Sequence, residues 1–167
     1  LAPVLDVTYI KLFEAMTPTA FLYTSSGAVY HDTPNAYGRM KIEHEALLKA
    51  SKLPAKIARL FTFVGPYLDE NKAVYQLLHD ALTGNEINIL GDGHTVRSYM
   101  SSEDMVIRLF TLLFSDNYNM DICSGYRRRI EMIEVAERIR NKFNPTAKIV
   151  IYNQINGEQC RDYYSKE

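Results

Sequence analysis

Three residues of this sequence have the types and spacing that proton transfer at neutral pH requires. Tyr37 and Lys41 lie four apart within Tyr37-Gly-Arg-Met-Lys41, so on a helix their side chains share one face. A phenol is normally protonated near neutrality, with an ordinary pKa of about 10. A neighbouring ammonium favours the phenolate and lets Tyr37 act as a base. Ser26 ends the apolar run before this helix, and its hydroxyl can share the same substrate oxygen. Taken alone, Tyr-x-x-x-Lys recurs by chance, and a helix with one exposed Tyr and one exposed Lys explains it equally. The Ser25-Ser26 ending of the preceding run is what gives the pattern weight.

Hydrophobic periodicity supplies the elements that must hold these residues. Val7, Ile10, Phe13 and Met16 recur every three residues, which predicts a helix ending near Thr17-Pro18. Residues 20–24 are short, apolar and aromatic, a buried strand closed by Ser25-Ser26-Gly27. Over residues 37–52 the positions Ile42, Ala46, Leu47 and Ala50 form the apolar stripe of a second helix. A strand over 56–61 stops at Gly65-Pro66, and a helix over 72–83 has Gly84 as its C-terminal cap. Strands over 86–90 and 97–101 flank Gly91-Asp92-Gly93. Ser102 caps the next helix, where Glu103 and Asp104 complement its positive end, so Asp104 reads as a helix-start charge rather than a catalytic acid. A strand over 120–123, a helix over 131–143 and a strand over 148–152 complete the chain. Such alternation means an α/β fold with a mostly parallel sheet.

Composition removes several function classes. At 167 residues the prior is one domain, and a chain of this size buries roughly 68–70% of its extended surface. With 47% hydrophobic and 23% charged residues it is not a disordered chain. Nineteen basic against 20 acidic residues leave a net charge of −1, so no overall field draws nucleic acid or an anionic membrane. The longest apolar runs, such as 109–114, fall far short of the ~20 residues of a membrane span. Leu1-Ala2-Pro3, followed by Asp6 and Lys11, lacks the layout of a signal peptide. Cys123 and Cys160 form no close pair, which points to a reducing, cytoplasmic setting. His31, His44, His79 and His94 show no metal-ligand spacing, so no metal is expected. Arg127-Arg128-Arg129 reads as a solvated turn. No glycine-rich turn of the kind that cradles a dinucleotide is present; Gly91-Asp92-Gly93 lacks a third glycine and precedes a strand.

Four segments, in order, resemble one family. Phe21-Leu-Tyr-Thr-Ser-Ser-Gly-Ala-Val-Tyr30 and Ala36-Tyr-Gly-Arg-Met-Lys41 resemble the catalytic strand and helix of extended short-chain dehydrogenases/reductases. Ile57-Ala-Arg-Leu-Phe-Thr-Phe-Val-Gly-Pro66 is similar to the family's segment after the next strand. Gly91-Asp-Gly-His-Thr-Val-Arg-Ser-Tyr99, with Glu103-Asp104, is similar to its substrate-domain signature. The match runs from near residue 7 to about 166 and points to NAD-dependent epimerases/dehydratases acting on nucleotide sugars.

The resemblance implies the later half of a Rossmann-type parallel sheet over residues 1–66, partial in its NAD-binding part. A small α/β substrate-binding region over 67–167 goes with it. It implies Tyr37 as the base, Lys41 as its pKa partner and ribose ligand, Ser26 as the hydroxyl partner, and Ser25 beside the cofactor. Thr62 and Arg97 would meet the sugar nucleotide, Arg97 through its diphosphate, which suits a guanidinium fork. Arg161 would touch the nucleotide. Read from the residues alone, Arg97 is equally a solvated strand residue, and without its Gly-Asp-Gly turn that reading would be favoured. Gly27 and Ala28 stand where sugar dehydratases carry two acids, which favours epimerase, reductase or decarboxylase chemistry. Thr62 occupies a position usually filled by Asn. Ten residues separate Ser26 from Tyr37, a shorter excursion than the family's but able to span about 33–36 Å. The glycine-rich first half of the cofactor domain has no counterpart in the sequence, so a non-catalytic remnant that binds ligand or partner is the competing expectation. A homodimer through the helix carrying Tyr37 and the helix before it is also implied.

Overall fold

The computed structural model describes residues 7–122 and 129–152. Its elements run α1 (Val7–Ala15), β1 (Phe21–Ser26), a 3₁₀ turn (Gly27–Tyr30), α2 (Ala36–Ala50), β2 (Ala55–Leu60), β3 (Thr62–Val64) and α3 (Ala73–Thr83). They continue β4 (Glu86–Leu90), β5 (Val96–Ser101), α4 (Ser102–Phe114), β6 (Asn119–Ile122), β7 (Arg129–Glu131), α5 (Met132–Phe143) and β8 (Lys148–Tyr152). The chain divides into two compact units, Leu1–Phe61 with Glu103–Ile122, and Thr62–Ser102 with Cys123–Glu167.

The first unit is built on the parallel sheet β1-β2-β6. Parallel neighbours need a crossover, and α2 supplies it between β1 and β2. Ser26 pairs with Leu60 at the C-terminal end of β1, the end where α/β proteins place their ligands. Beneath, Ile10, Leu48 and Leu53 pack with Phe13, Phe21, Tyr23 and Ala55. Leu48 is only 2% exposed, a burial that contributes about 1.5–3 kcal/mol.

The periodicity of α2 misdirects as to its buried face. Ile42, Ala46 and Ala50 are exposed, whereas Gly38, His44, Glu45 and Leu48 are buried. Polar groups are tolerated inside because β1 and β2 present partners for them, described below.

The second unit holds two sheets. In one, β5 runs parallel to β3 and antiparallel to β7. In the other, β4 runs parallel to β8. The strands flanking Gly91-Asp92-Gly93 therefore belong to different sheets rather than pairing across the turn. Gly91 and Gly93 have φ of 100° and 82°, a backbone that favours glycine. The turn also caps α5, since Ile133 N–H donates to Gly93 O at 2.9 Å and Met132 N–H to Thr95 O at 3.0 Å. Leu77, Ala81, Ile87, Ile89, Met132, Ala136 and Ala147 form this unit's core. No helix among the described residues is long and apolar enough to cross a membrane.

Candidate active site

Asn35 starts α2, its side-chain oxygen accepting the Gly38 N–H at 2.9 Å. That cap puts Tyr37 in the first turn and Lys41 one turn later, facing β1. The close fit depends on Gly38, where an added Cβ would stand 2.9 Å from the carbonyl oxygen of Ala28. Ala28 follows Ser26 in the 3₁₀ turn, and the buried Ser26 hydroxyl caps that turn by accepting the Ala28 N–H at 3.2 Å. The helix start and the serine end of the strand are thus packed backbone to backbone.

Lys41 Nζ donates to Thr24 O at 2.9 Å and lies 5.7 Å from the Tyr37 ring centroid and 4.8 Å from that of Tyr23. Burial lowers the Lys41 ammonium below the usual lysine range. Tyr23 and Tyr37 differ in environment. Burial, then the nearby Tyr37 and Glu45, push the Tyr23 phenol well above its ordinary value, and its hydroxyl is 2.8 Å from His44 Nδ1. Tyr37 is 48% exposed, open to a substrate from outside.

Behind these residues lies a polar chain that sequence reasoning missed. Ser25 Oγ donates to Glu45 Oε1 at 2.7 Å, and Arg59 clasps Glu45 through Nε at 3.0 Å and Nη2 at 2.7 Å. Arg59 Nη1 donates to Tyr30 OH at 2.7 Å, and Tyr30 OH donates to Asp121 Oδ1 at 2.8 Å. Burial alone would raise the Glu45 carboxyl, but the Arg59 and Ser25 hydrogen bonds and the Arg59 and Lys49 charges hold it below the usual range. Burial and the Asp121 bond push the Tyr30 phenol up to about 12, against the opposing pull of Arg59. The available signal was spacing: Glu45 falls four residues after Lys41, on the face of Tyr37 and Lys41.

In the second unit Thr62 and Arg97 line one cavity of about 360 Å³. Thr62 pairs with Tyr99, and Arg97 lies two residues before Tyr99, so strand alternation sets them on one side of the sheet. Lys72, Gln76, Asn88 and Thr95 add polar groups to a largely apolar wall. Arg161, Arg127, Arg128, Cys123 and Cys160 lie outside the described residues. Among the described residues no cluster of His, Cys, Asp and Glu is fit to hold a metal ion.

The model of the NAD dependent epimerase/dehydratase family matches residues 7–121, which include β1, α2 and the Ser-Tyr-Lys constellation. The chain belongs to that family. UDP-glucuronic acid decarboxylase 5 of Arabidopsis thaliana is 30% identical over 96 residues, 56% of this chain and 28% of that protein. The fold is similar to that of UDP-N-acetylglucosamine 4-epimerase from Methanobrevibacter ruminantium, with a TM-score of 0.79 at 20% identity over 96% of this chain and 59% of that one. It is similar too to that of dTDP-glucose 4,6-dehydratase from Bacillus anthracis, with a TM-score of 0.76 at 21% identity over 95% and 57%. The Rossmann-type α/β architecture is therefore this family's. The chain spans just over half the length of those solved proteins.

Proposed function

We propose that the chain carries the catalytic helix and the sugar-nucleotide cavity of an NAD-dependent nucleotide-sugar epimerase. The carrying observation is the Lys41 ammonium, 5.7 Å from the Tyr37 ring and tied to Thr24 just before Ser25-Ser26. Tyr37 accepts the proton of a sugar hydroxyl. Lys41 stands beside its ring, and Ser26 holds the same sugar oxygen. Bound NAD supplies the hydride acceptor. Once the ketone has turned over, the hydride returns to its other face, Tyr37 gives the proton back to the oxygen, and the epimer leaves with no net oxidation.

The donor set suits such a cofactor. An ammonium has three N–H donors and Thr24 takes one, which leaves donors for ribose hydroxyls. Ser25 borders the same end of β1, although its hydroxyl is committed to Glu45. In this reading the unit of residues 1–61 with 103–122 is the cofactor part and the unit of 62–102 with 123–167 is the substrate part. Thr62 and Arg97 meet the sugar nucleotide, Arg161 touches its nucleotide, and the enzyme is a cytoplasmic homodimer.

Gly27 supports oxidation without elimination of water. A Cβ there would come within 2.4 Å of the Phe61 ring, so an acidic side chain would have to displace that ring. A decarboxylase reading has one observation of its own, the names of the Arabidopsis relatives. Incubating the protein that carries this chain with a UDP-glucuronic acid and following carbon dioxide against epimer separates the two. The common test is Tyr37→Phe, which should lower kcat ~10²–10⁴-fold with KM nearly unchanged. Activity within a factor of two of wild type removes Tyr37 from the mechanism.

A further inference from the structure

Lys41 is held by two contacts from β1, and one of them is an aromatic face. Tyr23 stands three residues before Ser26, and Lys41 Nζ lies 4.8 Å from its ring centroid while donating to Thr24 O. The Tyr23 ring is itself fixed from the other side. His44, 3% exposed on α2, places Nδ1 2.8 Å from the Tyr23 hydroxyl, and its ring meets the phenol edge-on at 5.9 Å and 73°. Burial, reinforced by the Lys41 charge and opposed by Glu43, lowers the His44 imidazole, and its Nδ1 shares a hydrogen bond with the Tyr23 hydroxyl.

We propose that Tyr23, locked by His44, is the positioning residue that holds the Lys41 ammonium in place beside Tyr37. The proposal rests on the reading of Lys41 as partner of Tyr37. A lysine stem has high rotamer entropy, and an ammonium fixed by one carbonyl can still swing. An aromatic face is attracted to a cation and restores part of the charged form's stability that burial removes. Among the described residues the ionisable groups around the pair include Tyr37, Glu43, His44 and Glu45 on α2 and Tyr23 itself on β1. Tyr23 does not serve as a second base, because its hydroxyl is tied to His44 and its phenol is pushed up.

The test compares Tyr23→Phe, which keeps the ring, with Tyr23→Leu, which removes it, in the protein that carries this chain. The first readout is the ammonium titration of Lys41 by NMR of labelled lysine, assigned with Lys41→Arg. Tyr23→Leu should move that titration to lower pH than wild type, and Tyr23→Phe should stay nearer wild type. In turnover, Tyr23→Leu should lose about two- to five-fold in kcat at unchanged KM, with the acid limb of the pH profile moved up. Should Tyr23→Leu not fold, His44→Leu leaves β1 intact and must move the Lys41 titration in the same direction. A Lys41 titration that coincides in wild type and in every folded variant overturns the proposal, as does a Phe variant shifted as far as Leu. Absence of turnover in the wild type would count against the Tyr37 reading alone, because the NMR titration needs no substrate.

Discussion

At the scale of residues, the deciding contrast is between charges that face outward and charges that are buried. Glu45 and Arg59 leave only 6% and 15% of their side chains exposed and meet in a two-pronged pair. Removing one partner of such a pair strands the other, so Arg59→Ala should cost about 3–5 kcal/mol, read as a lower urea midpoint. Glu45 also makes stability depend on pH. Its carboxyl titrates lower in the folded chain than in the unfolded one, so its contribution is present above the ordinary carboxylate range. That contribution fades as pH falls through the depressed value. The midpoint gap between wild type and Glu45→Gln should therefore be wide at pH 7 and narrow toward pH 3. A gap independent of pH would mean that the carboxylate charge is not what stabilises. Arg97 calls for a different measurement, since a contact to a diphosphate is made in ground and transition states alike. Arg97→Ala should raise KM with little change in kcat, and Arg97→Lys should restore only part of the loss. An unchanged KM would return Arg97 to the role of a solvated strand residue.

At the scale of elements, α2 shows what is legible in sequence and what is not. The helix and its catalytic pair follow from spacing, and the Asn35 cap fixes its start. Its buried face does not follow, because the strongest apolar stripe, Ile42-Ala46-Ala50, turns outward. His44 and Glu45 turn in, toward Tyr23, Ser25 and Arg59. Periodicity finds a stripe; only the partners on other strands say which way it points. The three-residue strands β3 and β7 and the 3₁₀ turn are illegible for a plainer reason, being too short to show a period. β4 and β5 are both readable as strands, yet their separation into different sheets depends on pairing with residues far along the chain. Gly38 carries the element's most specific demand. Alanine is the better helix former by up to about 1 kcal/mol, but its Cβ would press on the Ala28 carbonyl and on Pro34. Backbone cannot yield cheaply, so Gly38→Ala should lower Tm by several degrees and reduce kcat as Tyr37 is displaced. A Tm equal to or above wild type would show that the helix start and the 3₁₀ turn part without cost.

At the scale of the molecule, the outward stripes become the observation to explain. On α2 they are Ile42, Ala46 and Ala50, and on α1 they are Tyr9 and Leu12, with Met16 just past its end on the same spacing. Leu12 is 56% exposed and Met16 67%, and α1 and α2 touch each other. A second apolar surface lies on α4, where Ile107, Phe110 and Phe114 are exposed and the two rings stack at 6.4 Å. Scattered apolar residues on a surface need no partner, but apolar stripes on two helices that touch are the kind of surface a partner covers. A standard interface buries about 800 Å² on each side, and among the described residues the α1–α2 surface joins two neighbouring helices in a form that a twofold axis can pair with itself. The homodimer of the proposed enzyme is accordingly expected there. Leu12→Glu with Ile42→Glu should shift sedimentation from dimer to monomer, because each charge would be buried unpaired at the contact. Neither residue is buried in the single chain, so the folded monomer should keep its Tm once measured at a concentration where wild type also dissociates. Phe110→Glu on α4 serves as the matched control and should leave the dimer intact. A dimer that survives the double change but falls apart with Phe110→Glu would move the interface to α4 and separate it from the helix that carries Tyr37.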